Sequence, residues 1–173
     1  NVYSDIPGKS WKALMEAHPD VQFFDYTKLH NQKPIAPNHH LTYSSTGVAQ
    51  PEIGKAAEFS NWHHMRKHLD EGRNVAVAFT TAPGEELPKW FLDQPTGKRY
   101  PIVDADLHDY RPADDWGKTK GSPGVIAGLR NKSQHQGMDA AMAEDSHGFF
   151  TYHEPGTDTV VYNTAFVTTL FVG

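Results

Sequence analysis

The sequence has no cysteine. A disulfide framework, a thiolate zinc site, a cysteine nucleophile and a cysteine-ligated iron–sulfur cluster are therefore excluded within this chain. No apolar run approaches the ~18 residues of a membrane-spanning helix, so no membrane partner is expected. The start, Asn1-Val2-Tyr3-Ser4-Asp5-Ile6, lacks the basic flank and apolar stretch of a signal peptide. Basic residues are in deficit, 16 Lys and Arg against 21 Asp and Glu, a net charge of −5 with histidine neutral. A free-standing nucleic-acid binder usually carries the opposite excess, so only local basic patches would serve such a partner. The Gly-x-Ser-x-Gly elbow, the P-loop and the dinucleotide fingerprint are all missing.

What is present is enough chain for one full core. The 14 Gly and 12 Pro predict many loops. The 11 histidines make the chain less acidic as they protonate below about pH 6.5. Residues 2–6 read as a strand met in its middle. The chain is therefore expected to be a fragment, its open sheet edge completed by a missing N-terminal half or by homo-oligomerisation.

Taken in order, Ser10 reads as the N-cap of a helix that ends by Pro19, with Trp11, Leu14, Met15 and His18 on one face. Residues 21–28 form a strand apolar on both faces at its start, as strands of parallel sheets are. Residues 41–46 form another, ending in hydroxyls. A helix runs from Ser60 to a C′ glycine, Gly72, with Trp62, Met65 and Leu69 as its buried stripe. His64 and His68, at i and i+4, lie opposite that stripe and read as a solvated face. Strands follow at 74–81, 102–107 and 124–130. Residues 82–99, carrying Trp90 and Phe91, read as a lid-like excursion. The segment 149–173 reads as β, with a turn at 155–158 that would make a terminal hairpin.

The repeated strand–helix–strand order, with polar residues gathered at strand ends, predicts an α/β fold. The expectation is a mainly parallel sheet in a partial barrel-like (βα) arrangement, with a C-terminal β hairpin or extension. Residues 1–133 would be the core, and 134–173 a histidine-containing loop and β extension of the same domain.

The densest chemistry lies at Ile102-Val103-Asp104-Ala105-Asp106-Leu107-His108-Asp109-Tyr110-Arg111. Period-two alternation places Asp104 and Asp106 on one face, roughly 6–7 Å apart, with His108 continuing the parity. Asp104 is expected to lie deeper than Asp106. Carboxylates on an apolar strand need a cation, a donor or a metal beside them.

Six stretches resemble, in order and spacing, a phage and mobile-element family, the gene-product-eighty-eight family. They are Ser4-Asp5-Ile6-Pro7, Pro19-Asp20-Val21-Gln22-Phe23-Phe24-Asp25-Tyr26-Thr27-Lys28, His40-Leu41-Thr42-Tyr43-Ser44, Asn74-Val75-Ala76-Val77-Ala78-Phe79, the run from Ile102 to Arg111, and Gly124-Val125-Ile126-Ala127-Gly128-Leu129-Arg130-Asn131-Lys132. The sequence departs from the family pattern at Ala105, where glycine is usual, and at Lys132-Ser133, where Lys-Gly is usual. The resemblance carries no reaction. It implies the C-terminal portion of a longer, phage-type protein of the host-cell cytoplasm, with a cysteine-bearing N-terminal part. It also implies a loose likeness to barrels that bind S-adenosylmethionine, and only with that missing part would this cofactor be expected. Ser4, Asp5, Asp25 and Lys28 would then face it.

The candidate catalytic residues are Asp104, Asp106, Asp25 and Lys28. Carboxylates at separate strand ends would supply acid–base pairs or hold a divalent ion, and Asp106, His108 and Asp109 are the candidate ligands. Arg111, Arg130, Lys132 and Ser44 would bind substrate phosphate. The competing reading is a ring of structural salt bridges around the rim. His39 and His40 point opposite ways on an extended chain and would not share an ion. A metal site at His135, His147 and His153 has no diagnostic spacing. The functional expectation is a nucleotide- or nucleic-acid-modifying enzyme. The alternative is a non-catalytic binding or self-assembling protein.

Overall fold

The computed structural model describes residues 8–45, 47–48, 61–132 and 149–162. The strand read at 2–6, residues Ser4 and Asp5, the candidate helix at 138–144, the strand at 165–172, and His135 and His147 lie outside the described residues.

Among the described residues seven strands make one open sheet. They are β1 (Phe23–Thr27), β2 (His39–Ser44), β3 (Val75–Ala78), β4 (Trp90–Asp93), β5 (Lys98–Asp104), β6 (Ile126–Leu129) and β7 (Thr159–Tyr162). Their order is β1-β2-β3-β6-β5-β4-β7, and the sheet does not close into a barrel. From β1 to β5 every neighbouring pair is parallel; β4 is antiparallel to β5, and β7 runs parallel to β4. The central strands β3 and β6, Val-Ala-Val-Ala and Ile-Ala-Gly-Leu, are nearly all buried. That is why they are apolar at consecutive positions and not at alternate ones.

Register sorts the two faces. Tyr43 pairs with Val75, Val75 with Ile126, and Ile126 with Ile102, so these four share a face. Helix α2 (Trp62–Asp70) covers it, burying Trp62, Met65, His68 and Leu69. The other face is thin, with Ala76, Ala127 and Ala105 packed against Leu129. Helix α1 (Gly8–Ala17) lies beside β1.

Glycine sets two close approaches around α2. Gly72, at φ +77°, stops the helix one residue past its C-cap, where an L-residue would be strained. Gly124 donates its amide to the Leu69 carbonyl at 2.7 Å, and a Cβ there would lie 1.9 Å from the Arg73 carbonyl oxygen. Gly124→Ala is expected to destabilise the fold by about 1–3 kcal/mol through overpacking against backbone. Urea unfolding checks this, and an unchanged midpoint would contradict it.

Several expectations need correction. Residues 82–99 are not simply a lid: β4 forms a hairpin with β5, which starts at Lys98 and not at Ile102. Phe91 and Tyr100 pair across it and are both buried. α1 starts at Gly8, so Ser10 lies inside it, and it buries Met15 while Leu14 stays exposed. His68 is not on a solvated face. It is buried, stacked on Tyr43 at 4.5 Å, with Nε2 2.9 Å from the His30 carbonyl. Of the two expected forms of the C-terminal part, the described residues show the extension: the turn at 155–158 joins no strand pair, Thr151 bridging to Phe79 and β7 adding to β4. Among the described residues no helix is long and apolar enough to cross a membrane.

Candidate functional site

Asp104 closes β5 and sits in register with Gly128 of β6. Arg130 follows on β6's exit and reaches back. Its Nη1 and Nη2 donate to the two Asp104 oxygens, each at 2.8 Å, and Nη1 also reaches Asp106 Oδ2 at 3.2 Å. Its Nε donates to the Glu85 carbonyl at 2.8 Å, and its backbone amide to Asp106 Oδ2 at 2.9 Å. Lys132 completes the cluster, 2.8 Å from Asp106 Oδ1. The result is a clasp joining the ends of β5 and β6 to the loop before β4.

Both carboxylates are held ionised. The Arg130 guanidinium keeps Asp104 below the usual carboxylate range against the opposing effect of burial. At Asp106 burial alone would push the other way, but hydrogen bonds from Lys132 and from the amide and guanidinium of Arg130 outweigh it. Neither group is a proton donor near neutrality. The expected order of depth is reversed, with side-chain exposures of 27% for Asp104 and 14% for Asp106. The chain leaves the strand at Ala105, whose amide makes the last ladder bond to Gly128, and the turn folds Asp106 back beneath Arg130.

The other candidates are elsewhere. Asp25 and Lys28 belong to the β1 end of the sheet, with β2, β3 and β6 between them and β5. Four interstrand spacings separate the two positions by roughly 19 Å. Ser44 ends β2. Arg111 begins a 3-10 helix, Arg111–Asp115, and is buried, while His108 and Asp109 are exposed. Among the described residues no three His, Asp or Glu side chains are gathered as a metal site, so Asp106, His108 and Asp109 do not converge on one. The structure thus brings together Asp104, Asp106, Arg130 and Lys132, and leaves Asp25, Lys28 and Ser44 apart from them.

Beside β1 lies a cavity of ≈ 870 Å³. Trp11 and Met15 of α1 wall one side and Phe23, Asp25 and Thr27 of β1 another; Lys28, Gln32 and His39 complete it. Asn38 fixes the walls: its side-chain amide reaches the carbonyls of Met15, His18 and Val21 at 2.9–3.1 Å, tying the end of α1 to the start of β1. The Thr27 hydroxyl donates to Gln32 Oε1 and accepts from the Leu29 amide at 3.0 Å, shaping the turn after the strand. Burial holds the His39 imidazole below its usual pKa, and its Nδ1 accepts from the Ile35 amide at 3.2 Å. The Lys28 ammonium lies 5.6 Å from the centre of the Phe149 ring, a cation–π distance.

Asp25 and Lys28 are therefore site candidates of the cavity and not of the rim. Sequence reasoning did not find Trp11, Gln32 or His39. The available signal was an amphipathic helix carrying Trp11 and Met15 directly before a strand with paired phenylalanines. His39 and His40 do point opposite ways. His39 faces the cavity, and His40 reaches Asp115 across the other face at 3.1 Å.

No curated protein matches the chain, and no solved structure does. The family model of Gene product 88 matches residues 1–150, a span that contains α1, the cavity and the Arg130 clasp. The chain belongs to the Gene product 88 family.

Proposed function

We propose that this chain binds a nucleotide in the cavity beside β1, as a phage-type protein of the host cytoplasm. The observation that carries the reading is the cavity itself. Its ≈ 870 Å³ falls in the range of small-molecule sites, which pair apolar walls with a few polar groups. Trp11 and Phe23 offer faces for a base to stack on. Asp25 is a pure acceptor when ionised and would take hydrogen bonds from an exocyclic amino group. Lys28 stands beyond the end of β1, where its ammonium would meet phosphate. A divalent ion would arrive with the phosphates and not on a protein cage. Catalysis at Asp104 and Asp106 is not part of the proposal, because Arg130 and Lys132 already occupy both carboxylates. This favours the binding reading over the rim-enzyme reading.

The test is calorimetric titration of the purified chain with the four ribonucleoside triphosphates and their nucleosides. Trp11→Ala is expected to weaken binding roughly tenfold to a hundredfold, the worth of one stacking contact. Lys28→Ala should weaken the nucleotides and leave the nucleosides unchanged. Asp25→Asn should alter the preference among bases. Absence of binding at millimolar nucleotide, or binding indifferent to Trp11→Ala, would refute the assignment.

A further inference from the structure

The loop between β1 and β2, residues 28–38, is fastened to α2 through histidines. The His30 ring stacks on His64 at 4.1 Å, and the His63 ring lies 3.7 Å from His64. His68, one helical turn on, puts its Nε2 2.9 Å from the His30 carbonyl. A carbonyl only accepts, so the neutral His68 ring carries its proton on Nε2 and its lone pair on Nδ1. That Nδ1 is buried and has no hydrogen-bond partner among the described residues. Arg73, just past the helix, donates to the Gln32 carbonyl at 3.1 Å and adds a tie to the same loop. The loop in turn supplies Lys28, Leu29, Gln32 and Ile35 to the wall of the β1 cavity. What fastens it to α2 therefore also shapes the cavity.

Each of these histidine contacts favours neutral rings. His64 is partly buried. Burial first, then His63, His30 and Lys67, hold it below the usual imidazole value. His68 is held below it as well, by burial first and then by the Arg73 and Lys67 charges. The His30 carbonyl and Glu71 act the other way there, but Glu71 is already taken by Arg73 at 2.5 Å. A second proton on His68 would sit on the buried Nδ1 with no acceptor among the described residues. Histidine is the side chain that charges between about pH 5 and 8, so four of them around one contact make a joint that acid opposes. A histidine with a lowered folded pKa stabilises the closed contact fully above its unfolded pKa, near about 6.5, and that contribution is lost as the pH falls toward the folded value.

We propose that His30, His63, His64 and His68 form an acid-sensitive clamp, which holds the 28–38 loop on α2 at neutral pH and loosens it as the rings take up protons. The clamp takes its ligand from the nucleotide reading above and adds a pH control to that site. Two protonated rings cannot share the His30–His64 stack at 4.1 Å without like-charge repulsion. Loosening reaches the ligand through Leu29, Gln32 and Ile35, which leave the cavity wall together. Binding then falls with the fraction of molecules that keep the loop in place. Arginine stays charged throughout this range, so the Arg73 tie to Gln32 keeps the loop near the sheet and the change is graded and reversible.

The test follows two readouts in the whole chain between about pH 7.5 and 5.5, the window in which histidine charges. The first is amide hydrogen exchange without ligand, corrected for intrinsic rates. The Leu29 and Gln32 amides, which donate to Thr27 Oγ1 and to the Leu29 carbonyl, should lose protection roughly tenfold, the worth of one pKa unit at a single site. The Phe79 amide, bonded to the Leu129 carbonyl within the sheet, should keep its protection. The Ile35 amide donates to His39 Nδ1 and reports on that ring instead. The second readout is calorimetric titration with guanosine and uridine, which carry no titrating phosphate. Their affinity should fall roughly tenfold over the same window. His30→Phe combined with His64→Phe keeps two stacked rings, and His68→Gln keeps a donor for the His30 carbonyl. The triple variant should hold both readouts nearly constant. The double variant alone should remove most of the response, which decides the matter if His68→Gln unfolds. The clamp is overturned if wild-type protection at Leu29 and Gln32 is the same at both pH values, or if the variants lose it as the wild type does. A nucleoside affinity that still falls in the variants places the response at His39 or Asp25 and overturns it too. Failure of both nucleosides to bind at either pH refutes the nucleotide reading alone, because the exchange readout needs no ligand and still decides the clamp.

Discussion

Trp62→Ala is expected to cost about 3–5 kcal/mol, the range for emptying a large buried aromatic site. Trp62 is the largest fully buried side chain and ties the β5-β4-β7 side of the sheet to α2. Its ring stacks on Phe91 at 4.4 Å and lies 5.8 Å from Tyr100 and 5.5 Å from Tyr162. Three strands, β4, β5 and β7, therefore meet on one residue of one helix. Its indole Nε1 also donates to Asp93 Oδ1 at 3.3 Å. Asp93 is fully buried, with Thr96 and Arg66 as its other partners, so the variant removes one donor from a buried carboxylate as well as opening a cavity. A melting temperature lower by roughly 6–20 °C is the expected reading for a chain of this size. Trp62→Phe keeps most of the packing and should fall between the two. A fall of less than about 3 °C for Trp62→Ala would mean that β4 and β7 are not held through this residue.

Arg130→Met should be comparably severe, about 3–5 kcal/mol, because it takes the guanidinium from the partly buried Asp104 and leaves Asp106 with Lys132 alone as its cation. The pH dependence separates this from a simple packing loss. Asp104 and Asp106 both have folded pKa values depressed below the ordinary carboxylate value. A depressed carboxylate contributes stability that is fully present above its unfolded pKa and is lost as the pH falls through the folded one. The wild type should therefore lose stability on the acid side of about pH 4. In Arg130→Met the same carboxylates lack that cation, so protonation relieves the variant while it weakens the wild type. The difference between the two proteins should shrink from pH 7 to pH 3 in denaturant titrations. A difference constant with pH would show that Arg130 contributes packing and not charge.

The α/β class and the central strands were legible because their cause is local. A strand buried on both faces must be apolar at consecutive positions, and Val75-Ala76-Val77-Ala78 and Ile126-Ala127-Gly128-Leu129 satisfy that in isolation. The buried stripe of Trp62, Met65 and Leu69 was legible for the same reason, since helical period alone defines it. The hairpin of β4 was not legible. Phe91 is buried by Tyr100 on one side and Val160 on the other, and nothing within Trp90–Asp93 states that those partners exist.

The chemistry divides along the same line. Composition alone excluded every cysteine-based site, and alternation placed Asp104 beside a cation-requiring face. Which cation, and how far the alternation persists, depended on tertiary pairing. β5 ends where Ala105 makes its last bond to Gly128, and the turn that follows puts Asp106 beneath Arg130. Strand order then separated residues that look equivalent in the chain. Asp25 and Asp104 both lie in strands that read as rim carriers, yet β2, β3 and β6 lie between them. Local sequence specifies that a strand forms and which side is apolar. The neighbour a strand acquires is decided by crossovers and by which faces α2 can cover at once, a free-energy balance over the whole core that no single stretch contains.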